Sequence, residues 1–327
     1  MKRILVTGGA GYIGSHTVLA LLDRGYDVTV LDNLSMGHKA AVSPDRLVVG
    51  DLKDADALDH LLLSRQIEGI IHFAASASVG ESVTDPAKYY RNNVTSAIVL
   101  LEAARRQSVK NFVFSSTCAV YGIPASVPIT EDLPMKPISP YGRTKLVIEM
   151  ALEDYAHAYG MSATALRYFN AAGADSKGRI GEDHRPETHL IPLLLQSAMG
   201  GEPISIFGTD YPTPDGTCIR DYIHVEDLAS AHVLALEKQT PGRMGKYNLG
   251  TGQGCSIREM IALVESVTGR KVPFREGARR EGDPPELVAS PALAMKELGW
   301  RPKYPEPDGI VETAWKWQSA HPKGYGR

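Results

Sequence analysis

The sequence predicts an α/β fold in which a doubly wound parallel sheet is joined to a smaller, discontinuous α/β domain. Three observations lead to this prediction. Short β-branched runs alternate with helix-length segments, a glycine-rich loop follows the first run, and Gly- and Pro-rich stretches interrupt the second half. The 327 residues are 43% hydrophobic and 22% charged, which is typical of a globular protein and unlike a disordered chain.

The first half of the chain shows a regular order of strands and helices. Arg3–Thr7 is a compact apolar run that ends in glycines, as expected of a strand buried on both faces. Tyr12–Arg24 has apolar residues at helical spacing, and Gly25 is suited to end that helix. The same criteria predict strands at Asp27–Leu31, Arg46–Val49, Gly69–Phe73, Asn111–Phe114 and Ser162–Arg167, and helices at Asp54–Arg65, Asp85–Gln107 and Pro140–Tyr159. This alternation predicts a parallel sheet covered by helices on both faces.

The amino-acid composition of the chain changes after Asn170. Residues 171–221 are rich in Gly, Pro and Asp and contain one clear helix, near Leu190–Met199, and Pro and Gly recur at 269–309. Between these stretches, a helix at Val225–Leu236 and a strand-like Tyr247–Leu249 are expected to return to the first sheet. We therefore predict one domain from residues 1–170 plus about 222–250, and a second from about 171–221 plus 251–327.

Composition excludes several classes of function. The 35 Lys and Arg against 38 Asp and Glu give a net charge of −3, which offers no basic surface for a nucleic-acid partner. The longest uncharged run, 111–130, contains Pro124 and Pro128, and it predicts a strand and a loop rather than a membrane span. The three cysteines are far apart and the histidines lack ligand-like spacing, so we expect no disulfide framework, no metal site and a cytoplasmic location.

A glycine-rich loop connects the first strand to the first helix. Gly9, Gly11 and Gly14 satisfy G-x-G-x-x-G, and Gly8, Gly11 and Gly14 satisfy G-x-x-G-x-x-G. Glycines permit the tight turn and the close approach of the main chain to a pyrophosphate at the helix N-terminus, as in Rossmann sheets. Asp32 ends the second strand 18 residues after Gly14 and can accept hydrogen bonds from ribose hydroxyls. Because its charge would repel a 2′-phosphate, the sequence favours NAD over NADP.

A tyrosine and a lysine at helical spacing follow later in the chain. Tyr141 and Lys145 are four residues apart at the start of a predicted helix, so both project from one face. Lowering the pKa of a tyrosine from about 10 to about 7 requires about 4 kcal/mol of preferential stabilisation of the phenolate, which neighbouring cations can supply. Ser115, Ser116 and Thr117 follow an apolar strand, where open α/β sheets place ligand chemistry. A hydroxyl there can bond a substrate oxygen beside Tyr141.

These residues, together with motifs in the second half, carry a resemblance to a known family. The first-half motifs, which resemble those of extended short-chain dehydrogenase/reductases, are TGGAGYIG, Asp32-Asn33, Gly50-Asp51-Leu52, FSST-x2-VYG and Tyr141-x3-Lys145. Within that family the chain resembles the UDP-glucose 4-epimerases, and the similarity extends over essentially its whole length. The motifs specific to that group are Arg167–Gly173, Ile206–Thr213, Arg220–Val225, Arg279–Asp283 and Trp315-x-Trp317-Gln318.

The resemblance implies reversible 4-epimerisation of UDP-glucose and UDP-galactose with tightly bound NAD. As a phenolate, Tyr141 would take the proton of the sugar 4-hydroxyl while hydride passes from C4 to NAD. The 4-keto intermediate would then turn over and take the hydride back on its other face. Lys145 would lower the pKa of Tyr141 and contact the nicotinamide ribose, and Thr117 would orient the 4-oxygen.

The resemblance also implies two sets of binding residues. The set expected to contact NAD is Gly8, Gly11, Tyr12, Ile13, Gly14, Asp32, Asn33, Asp51, Leu52, Phe73, Ala74, Ala75, Asn92, Tyr141, Lys145 and Phe169. The set expected to hold the UDP-sugar substrate is Thr117, Tyr141, Asn170, His189, Leu190, Phe207, Arg220, Tyr222, Arg280, Asp283 and Leu287. For Arg220 and Arg280, ordinary ion pairs with Asp221 or Glu281 are the alternative interpretation.

Four positions depart from the pattern of well-known members. Thr117 stands where Ser is common, and Ala77 stands where many members have a lysine that contacts the cofactor. His189 replaces an Asn beside the substrate, and Leu287 lies where a Tyr narrows the sugar pocket of some members. The smaller side chain at 287 leads to the hypothesis that UDP-GlcNAc and UDP-GalNAc are also accepted.

Three alternative functions, and the oligomeric state of the chain, also have to be considered. A 4,6-dehydratase of the same family would need an acid/base pair directly after Thr117, where this chain has Cys118 and Ala119. Another NAD-dependent nucleotide-sugar epimerase or a non-enzymatic NAD-binding regulator is a further alternative, although a regulator has no need of Tyr141 and Lys145. The resemblance also implies a homodimer, formed by the helices near 85–107 and 140–159 as a four-helix bundle.

Overall fold

The computed structural model describes residues 2–280 and 282–326, and it contains thirteen strands and eleven α-helices in those residues. The strands are β1 (Arg3–Thr7), β2 (Asp27–Asp32), β3 (Leu47–Val49), β4 (Gly69–His72), β5 (Asn111–Ser115), β6 (Ser162–Tyr168), β7 (Asn170–Ala172), β8 (Ile204–Phe207), β9 (Ile219–His224), β10 (Met244–Leu249), β11 (Gly254–Ser256), β12 (Phe274–Gly277) and β13 (Glu286–Leu287). The helices are α1 (Tyr12–Asp23), α2 (Ala55–Ser64), α3 (Val79–Thr84), α4 (Pro86–Tyr89), α5 (Ser96–Arg106), α6 (Pro140–Tyr159), α7 (Leu190–Ala198), α8 (Val225–Glu237), α9 (Ile257–Thr268), α10 (Ala292–Glu297) and α11 (Pro307–Ala320). None of the described helices is both long enough and apolar enough to span a bilayer.

The larger sheet has seven strands in the order β3-β2-β1-β4-β5-β6-β10, and every neighbouring pair is parallel. This confirms the predicted doubly wound sheet. Strand order reverses between β1 and β4, where open α/β sheets bind ligands at their carboxyl ends.

Helices cover both faces of this sheet because its strands are apolar at successive positions. Along β1, Ile4 and Val6 pack with α1 and α8 on one face, whereas Leu5 packs with α2, α5 and α6 on the other. All three side chains are at most 1% exposed. Continuous apolar runs, rather than alternating ones, are what a sheet buried on both faces requires.

The predicted helix Asp85–Gln107 is the main departure in the first half. It is divided into α4, a π-helical turn at Tyr90–Thr95, and α5. Within the turn, the buried Asn93 accepts a hydrogen bond from the Ser76 main-chain nitrogen at 2.8 Å and donates one to the Ser76 carbonyl oxygen at 3.0 Å. A single π-helical turn changes the direction in which the following side chains project, and a hydropathy pattern does not predict such a turn.

The second region contains more regular structure than the sequence predicted. Its larger sheet consists of β7, β9, β11 and β13, β8 pairs with β12, and α7, α9 and α11 pack against them. A capping box between Ser256 and Glu259 starts α9, and this local signal is visible in the sequence.

The chain crosses between the two regions at the end of β9. Strand β9 lies in the second sheet, α8 packs against α1, and β10 pairs with β6 in the first sheet. The helix and strand expected to return to the first sheet therefore do so, and they begin after His224. The division into two functional domains remains a prediction.

Several histidines are buried in the neutral form, which makes folding stability depend on pH. Burial lowers the pKa of His16 and His232 to about 4. Burial, reinforced by the nearby charge of Lys145, lowers the pKa of His72 to about 3. The unfolded chain binds these protons near pH 6.5, and the folded chain resists them. The contribution of these neutral histidines to the free energy of unfolding is therefore fully present above about pH 6.5 and is lost as pH falls towards about 4.

We expect His232→Asn to make stability less sensitive to acid. Asparagine can keep the donor that faces the Leu228 carbonyl oxygen, 2.8 Å from Nδ1 of His232, but it does not titrate. Between about pH 6 and about pH 4, the slope of unfolding free energy against pH should fall by about 1.4 kcal/mol per pH unit. Urea titrations at several pH values measure this slope. Equal slopes in the variant and the wild type would contradict the assignment.

Candidate active site

The glycine loop between β1 and α1 is shaped for a close main-chain approach. Gly8 has φ +71°, and a Cβ added there would lie 2.6 Å from the Ala74 nitrogen. A Cβ at Gly14 would lie 2.3 Å from the Gly8 carbonyl oxygen. No side chain caps α1, and its first turn carries no acidic residue. The amides at this helix end therefore fit a diphosphate such as that of NAD.

Asp32 lies beside this loop at the end of β2 and has a second role that the sequence analysis missed. It is 7% exposed, and its carboxylate accepts hydrogen bonds from the Ala10 nitrogen at 2.9 Å and the Leu34 nitrogen at 2.8 Å. Asn33 donates to Asp51 at 3.2 Å. Each oxygen of Asp32 keeps a further lone pair for a ribose hydroxyl. Asp32 thus holds the glycine loop as well as offering a ribose site.

Other residues predicted to contact the cofactor line the same edge. The nitrogens of Phe73 and Ala74 donate to the Thr7 carbonyl oxygen at 2.9 and 3.1 Å, which places the end of β4 against the glycine loop. Asn92, on the π-helical turn, donates to the Ser76 hydroxyl at 3.1 Å. The remaining members are Ala75, which follows Ala74, Leu52 and Phe169, which are buried, and Ile13, which packs against the core.

The side chain of Tyr12, which is predicted to contact NAD, makes two contacts with the second region. Its hydroxyl donates to the Gly173 carbonyl oxygen at 2.6 Å, and its ring packs edge-on to His184. Tyr12 therefore connects the first helix to the second region, and its main chain remains at the glycine loop.

Tyr141, Lys145 and Thr117 come together at the carboxyl end of β5. Tyr141 and Lys145 lie on the first turns of α6 and are 8% and 3% exposed. The Lys145 Nζ donates to the Ser115 carbonyl oxygen at 2.7 Å and lies 5.8 Å from the centre of the Tyr141 ring. Thr117 is 7% exposed, its hydroxyl accepts a hydrogen bond from the Ala119 nitrogen at 3.2 Å, and it lies near enough to Tyr141 to lower the pKa of that phenol.

Burial perturbs the pKa of both ionisable groups in the direction of the neutral form. Burial, with a smaller effect of Tyr168, raises the pKa of Tyr141 well above its ordinary value, while the hydrogen bond from Thr117 opposes the rise. Burial lowers the pKa of Lys145 to about 7, and the charge of Glu149 opposes that fall. Without further cations, the phenol at this site is neutral. A positively charged group beside Tyr141 is needed to make it a base.

A buried polar network that the sequence analysis missed lies beneath this pair. Glu149 accepts a hydrogen bond from Ser116 and forms an ion pair with Arg167, with Nη2 and Oε2 2.6 Å apart. Both charged side chains are only 1% exposed. Arg167 also donates to the Tyr121 hydroxyl at 2.8 Å, which in turn donates to Asn248 at 2.8 Å. The sequence contains one indication of this network, because Arg167 lies within the otherwise apolar run of β6 and a buried arginine needs a partner.

The residues predicted to hold the sugar nucleotide form smaller groups in the second region. Arg220 pairs with Asp283, with Nη2 and Oδ1 2.5 Å apart, so its alternative assignment to an ion pair with Asp221 is wrong. The Arg280 guanidinium stacks 3.9 Å from the centre of the Phe207 ring. Its alternative partner, Glu281, lies outside the described residues.

Three further substrate-set residues lie on or beside β9. Asn170 on β7 donates to the Asp221 carbonyl oxygen at 2.9 Å, and Tyr222 on β9 is buried. Leu287 on β13 pairs in register with Arg220 and packs against the cluster that contains Phe169. These contacts bring residues from β7, β9 and β13 together beside the end of β6.

His189 and Leu190, at the start of α7, belong to a different grouping. His189 contacts the carboxylate of Glu182, as does His184 at 3.0 Å, and Glu187 completes the group. Burial lowers the pKa of His184, but the hydrogen bonds that it donates to the carboxylates of Glu182 and Glu187 outweigh burial and raise this pKa to about 10. The expectation that the histidines lack ligand-like spacing missed the pattern Glu-x-His-x-x-Glu-x-His over 182–189.

Comparisons with known proteins agree with this geometry. Residues 4–250 match the model of the NAD dependent epimerase/dehydratase family. A protein of Halalkalibacterium halodurans named UDP-glucose 4-epimerase is 53% identical over 98% of this chain and 97% of its own length. The UDP-glucose 4-epimerase of Brucella ovis, solved with NAD, is 52% identical with a TM-score of 0.93 and covers 96% of this chain and 98% of its own. That of Bifidobacterium longum, solved with NAD⁺ and UDP, is 38% identical with a TM-score of 0.95 and covers 99% and 100%.

Proposed function

The chain belongs to the NAD dependent epimerase/dehydratase family, and from this premise we propose that it catalyses reversible 4-epimerisation of UDP-glucose and UDP-galactose. The observation that carries the proposal is the grouping of Tyr141, Lys145 and Thr117 at the sheet edge that also holds the glycine loop. A hydroxyl base, an ammonium and a second hydroxyl fit the oxidation and reduction of one sugar carbon.

In the proposed mechanism, Tyr141 takes the proton of the sugar 4-hydroxyl and later returns it. Lys145, held by the Ser115 carbonyl oxygen, supplies one positive charge that offsets the effect of burial on the phenol, and the oxidised nicotinamide ring of bound NAD would supply a second. Thr117 holds the 4-oxygen in line with Tyr141. NAD, when bound, would supply the acceptor and donor for the hydride that C4 of the sugar loses and regains. The chain needs no net oxidant, since the cofactor is regenerated in each turnover.

We place NAD at the glycine loop and the UDP moiety at the second region. Asp32 and Asn33 would bind the adenosine ribose, and the uncapped start of α1 the cofactor diphosphate. Arg220 keeps guanidinium donors beyond its pair with Asp283, and Arg280 lies flat on Phe207, so two cations are available to the diphosphate of the substrate.

Coupled turnover of UDP-galactose tests the proposal. We expect formation of UDP-glucose without added oxidant, and NAD in the supernatant after denaturation of the enzyme. Incubation with dTDP-glucose should give no 4-keto-6-deoxy sugar, because Cys118 and Ala119 stand where a dehydratase needs its acid and base. Absence of turnover in a preparation that contains NAD would instead favour the regulator.

We infer that N-acetylated UDP-sugars are also substrates, because Leu287 is smaller than the tyrosine found in some relatives. Leu287 borders the site through its contact with the Phe169 cluster. We expect Leu287→Tyr to lower kcat/KM for UDP-GlcNAc by more than about tenfold, a typical effect of one pocket clash, while turnover of UDP-glucose changes little. Steady-state assays of both substrates measure the ratio, and Leu287→Met serves as the volume-matched control. A wild-type enzyme inactive on UDP-GlcNAc would overturn the inference.

We also propose a cytoplasmic homodimer. Apolar side chains on α3, the π-helical turn and α6 are more than a third exposed in the single chain, and they are Val79, Val83, Tyr90, Val147 and Met150. Pairing of this surface with that of a second chain would bury them in a helix bundle. The three cysteines are free, as a reducing compartment requires. Light scattering coupled to size-exclusion chromatography measures the mass of the assembly.

A further inference from the structure

Four potential metal ligands converge in the segment that precedes α7. Glu182, His184, Glu187 and His189 each offer one donor atom, and these atoms all lie within 4.8 Å of one another. The Nδ1 atoms of both histidines contact the same oxygen, Oε1 of Glu182. His184 Nδ1 is also 3.8 Å from Oε1 of Glu187. Two imidazole nitrogens and two carboxylates therefore lie within reach of one another.

We propose that this group, the 182–189 cluster, binds a divalent first-row transition metal ion of the Zn²⁺ type. Once the ion has displaced the protons of the imidazoles, two imidazoles and two carboxylates form a four-ligand set whose formal charge of −2 balances that of the ion. Zinc–ligand bonds of about 2.0–2.2 Å place tetrahedral donors about 3.3 Å apart. Both histidine nitrogens would therefore move away from Oε1 of Glu182 to admit an ion, while donors that are now further apart would draw together. Mg²⁺ and Ca²⁺ prefer oxygen ligands alone, whereas imidazole favours Zn²⁺, Co²⁺, Ni²⁺ and Cu²⁺.

The side chains of the cluster are held in place before any ion binds. Glu182 and Glu187 are only 5% and 8% exposed. Oε1 of Glu187 accepts hydrogen bonds from the main-chain nitrogens of Thr188 at 2.7 Å and His189 at 2.9 Å. Such outer contacts orient ligating groups and lower the cost of ordering them.

The surroundings offer a cation an entry path. Glu182, His184 and Glu187 line a groove of about 740 Å³ that extends to α7 and α11 and provides an entry path. The neighbouring Arg185 is paired with Asp183 at 3.2 Å. On the inner side the cluster meets Tyr12, a neutral phenol whose ring lies 6.0 Å from that of His184. A bound ion would tie the start of α7 to the preceding segment, and the proposal does not depend on the epimerase assignment.

Titration of the untagged, NAD-containing protein with Co²⁺ and Zn²⁺ tests the site. Metal binding displaces protons from the histidines, so the titrations are made at mildly alkaline pH, which favours that displacement. We expect one ion per chain by calorimetry, the visible absorption of tetrahedral Co²⁺, and its loss when Zn²⁺ is added. A Co²⁺ spectrum identical to that of the hydrated ion would overturn the proposal without recourse to any variant.

Substitutions then locate the site. His184→Asn and Glu187→Gln should each weaken Zn²⁺ binding by more than about 100-fold. The exposed His60→Asn is the matched control and should bind as the wild type does. Far-UV circular dichroism and NAD content verify that the variants are folded. If folded variants keep wild-type affinity, the ion binds elsewhere and the assignment to the 182–189 cluster is wrong.

Discussion

Replacement of Tyr141 with phenylalanine is expected to slow epimerisation by about 10³-fold while NAD stays bound. The substitution removes the hydroxyl that would accept the proton of the sugar 4-oxygen and leaves the ring that packs edge-on against Tyr89. Cofactor binding should survive, because the residues that fit NAD are distributed over the glycine loop, Asp32 and the end of β4. Turnover of UDP-galactose and the NAD released on denaturation measure the two effects separately.

Tyr168→Phe is the matched control for this experiment. Its hydroxyl bonds the Ser115 hydroxyl at 2.6 Å and transfers no proton in the proposed mechanism, although Tyr168 makes a small contribution to the raised pKa of Tyr141. We expect its rate to remain within about tenfold of the wild-type rate. If Tyr141→Phe were as active as Tyr168→Phe, Tyr141 would not be the base. If it lost NAD as well as activity, Tyr141 would have to be reassigned to cofactor binding.

The parts of the site that local sequence patterns encode were predicted from the sequence. The four-residue spacing of Tyr141 and Lys145 places both on one face of α6, and Thr117 follows directly from the end of β5. The glycine loop likewise depends on neighbours in the chain. In each case the geometry follows from helical or strand periodicity, which needs no knowledge of the rest of the fold.

Groups that converge from distant parts of the chain were beyond such reasoning. The pair of Arg220 and Asp283 joins residues 63 apart, and the pair of Glu149 and Arg167 joins a helix to a strand. Their partners are set by sheet topology and register, which hydropathy patterns do not contain. Helix α9 is a different case, because the Ser256 capping box was a local signal that the recurrence of Gly and Pro obscured.

The second large effect is expected from Glu149→Gln. The wild-type carboxylate meets Arg167 through three hydrogen bonds of 2.6–3.2 Å, in a site where both side chains are only 1% exposed. Loss of one partner leaves the other charge buried without compensation, which costs about 3–5 kcal/mol of unfolding free energy. Urea denaturation at neutral pH measures the loss. One turn further along α6, Glu153→Gln breaks a largely exposed pair with Lys246 and should cost at most about 1 kcal/mol.

Glu149→Gln should also change the pH dependence of catalysis, because Glu149 is the anion that opposes the effect of burial on Lys145. Without it, the pKa of Lys145 falls further below its ordinary value, and the lysine loses its proton at lower pH. Since the charged lysine supports the phenolate, the alkaline limb of the pH–rate profile should move to lower pH.

A double variant separates the effect on stability from the effect on chemistry. Glu149→Leu combined with Arg167→Met replaces the buried pair with apolar side chains and should recover most of the lost stability. It still leaves Lys145 without its anion, so the displaced alkaline limb should persist. If the double variant recovered both the stability and the wild-type pH profile, Glu149 would act only as the partner of Arg167. Its influence on Lys145, and through it on Tyr141, would then have to be abandoned.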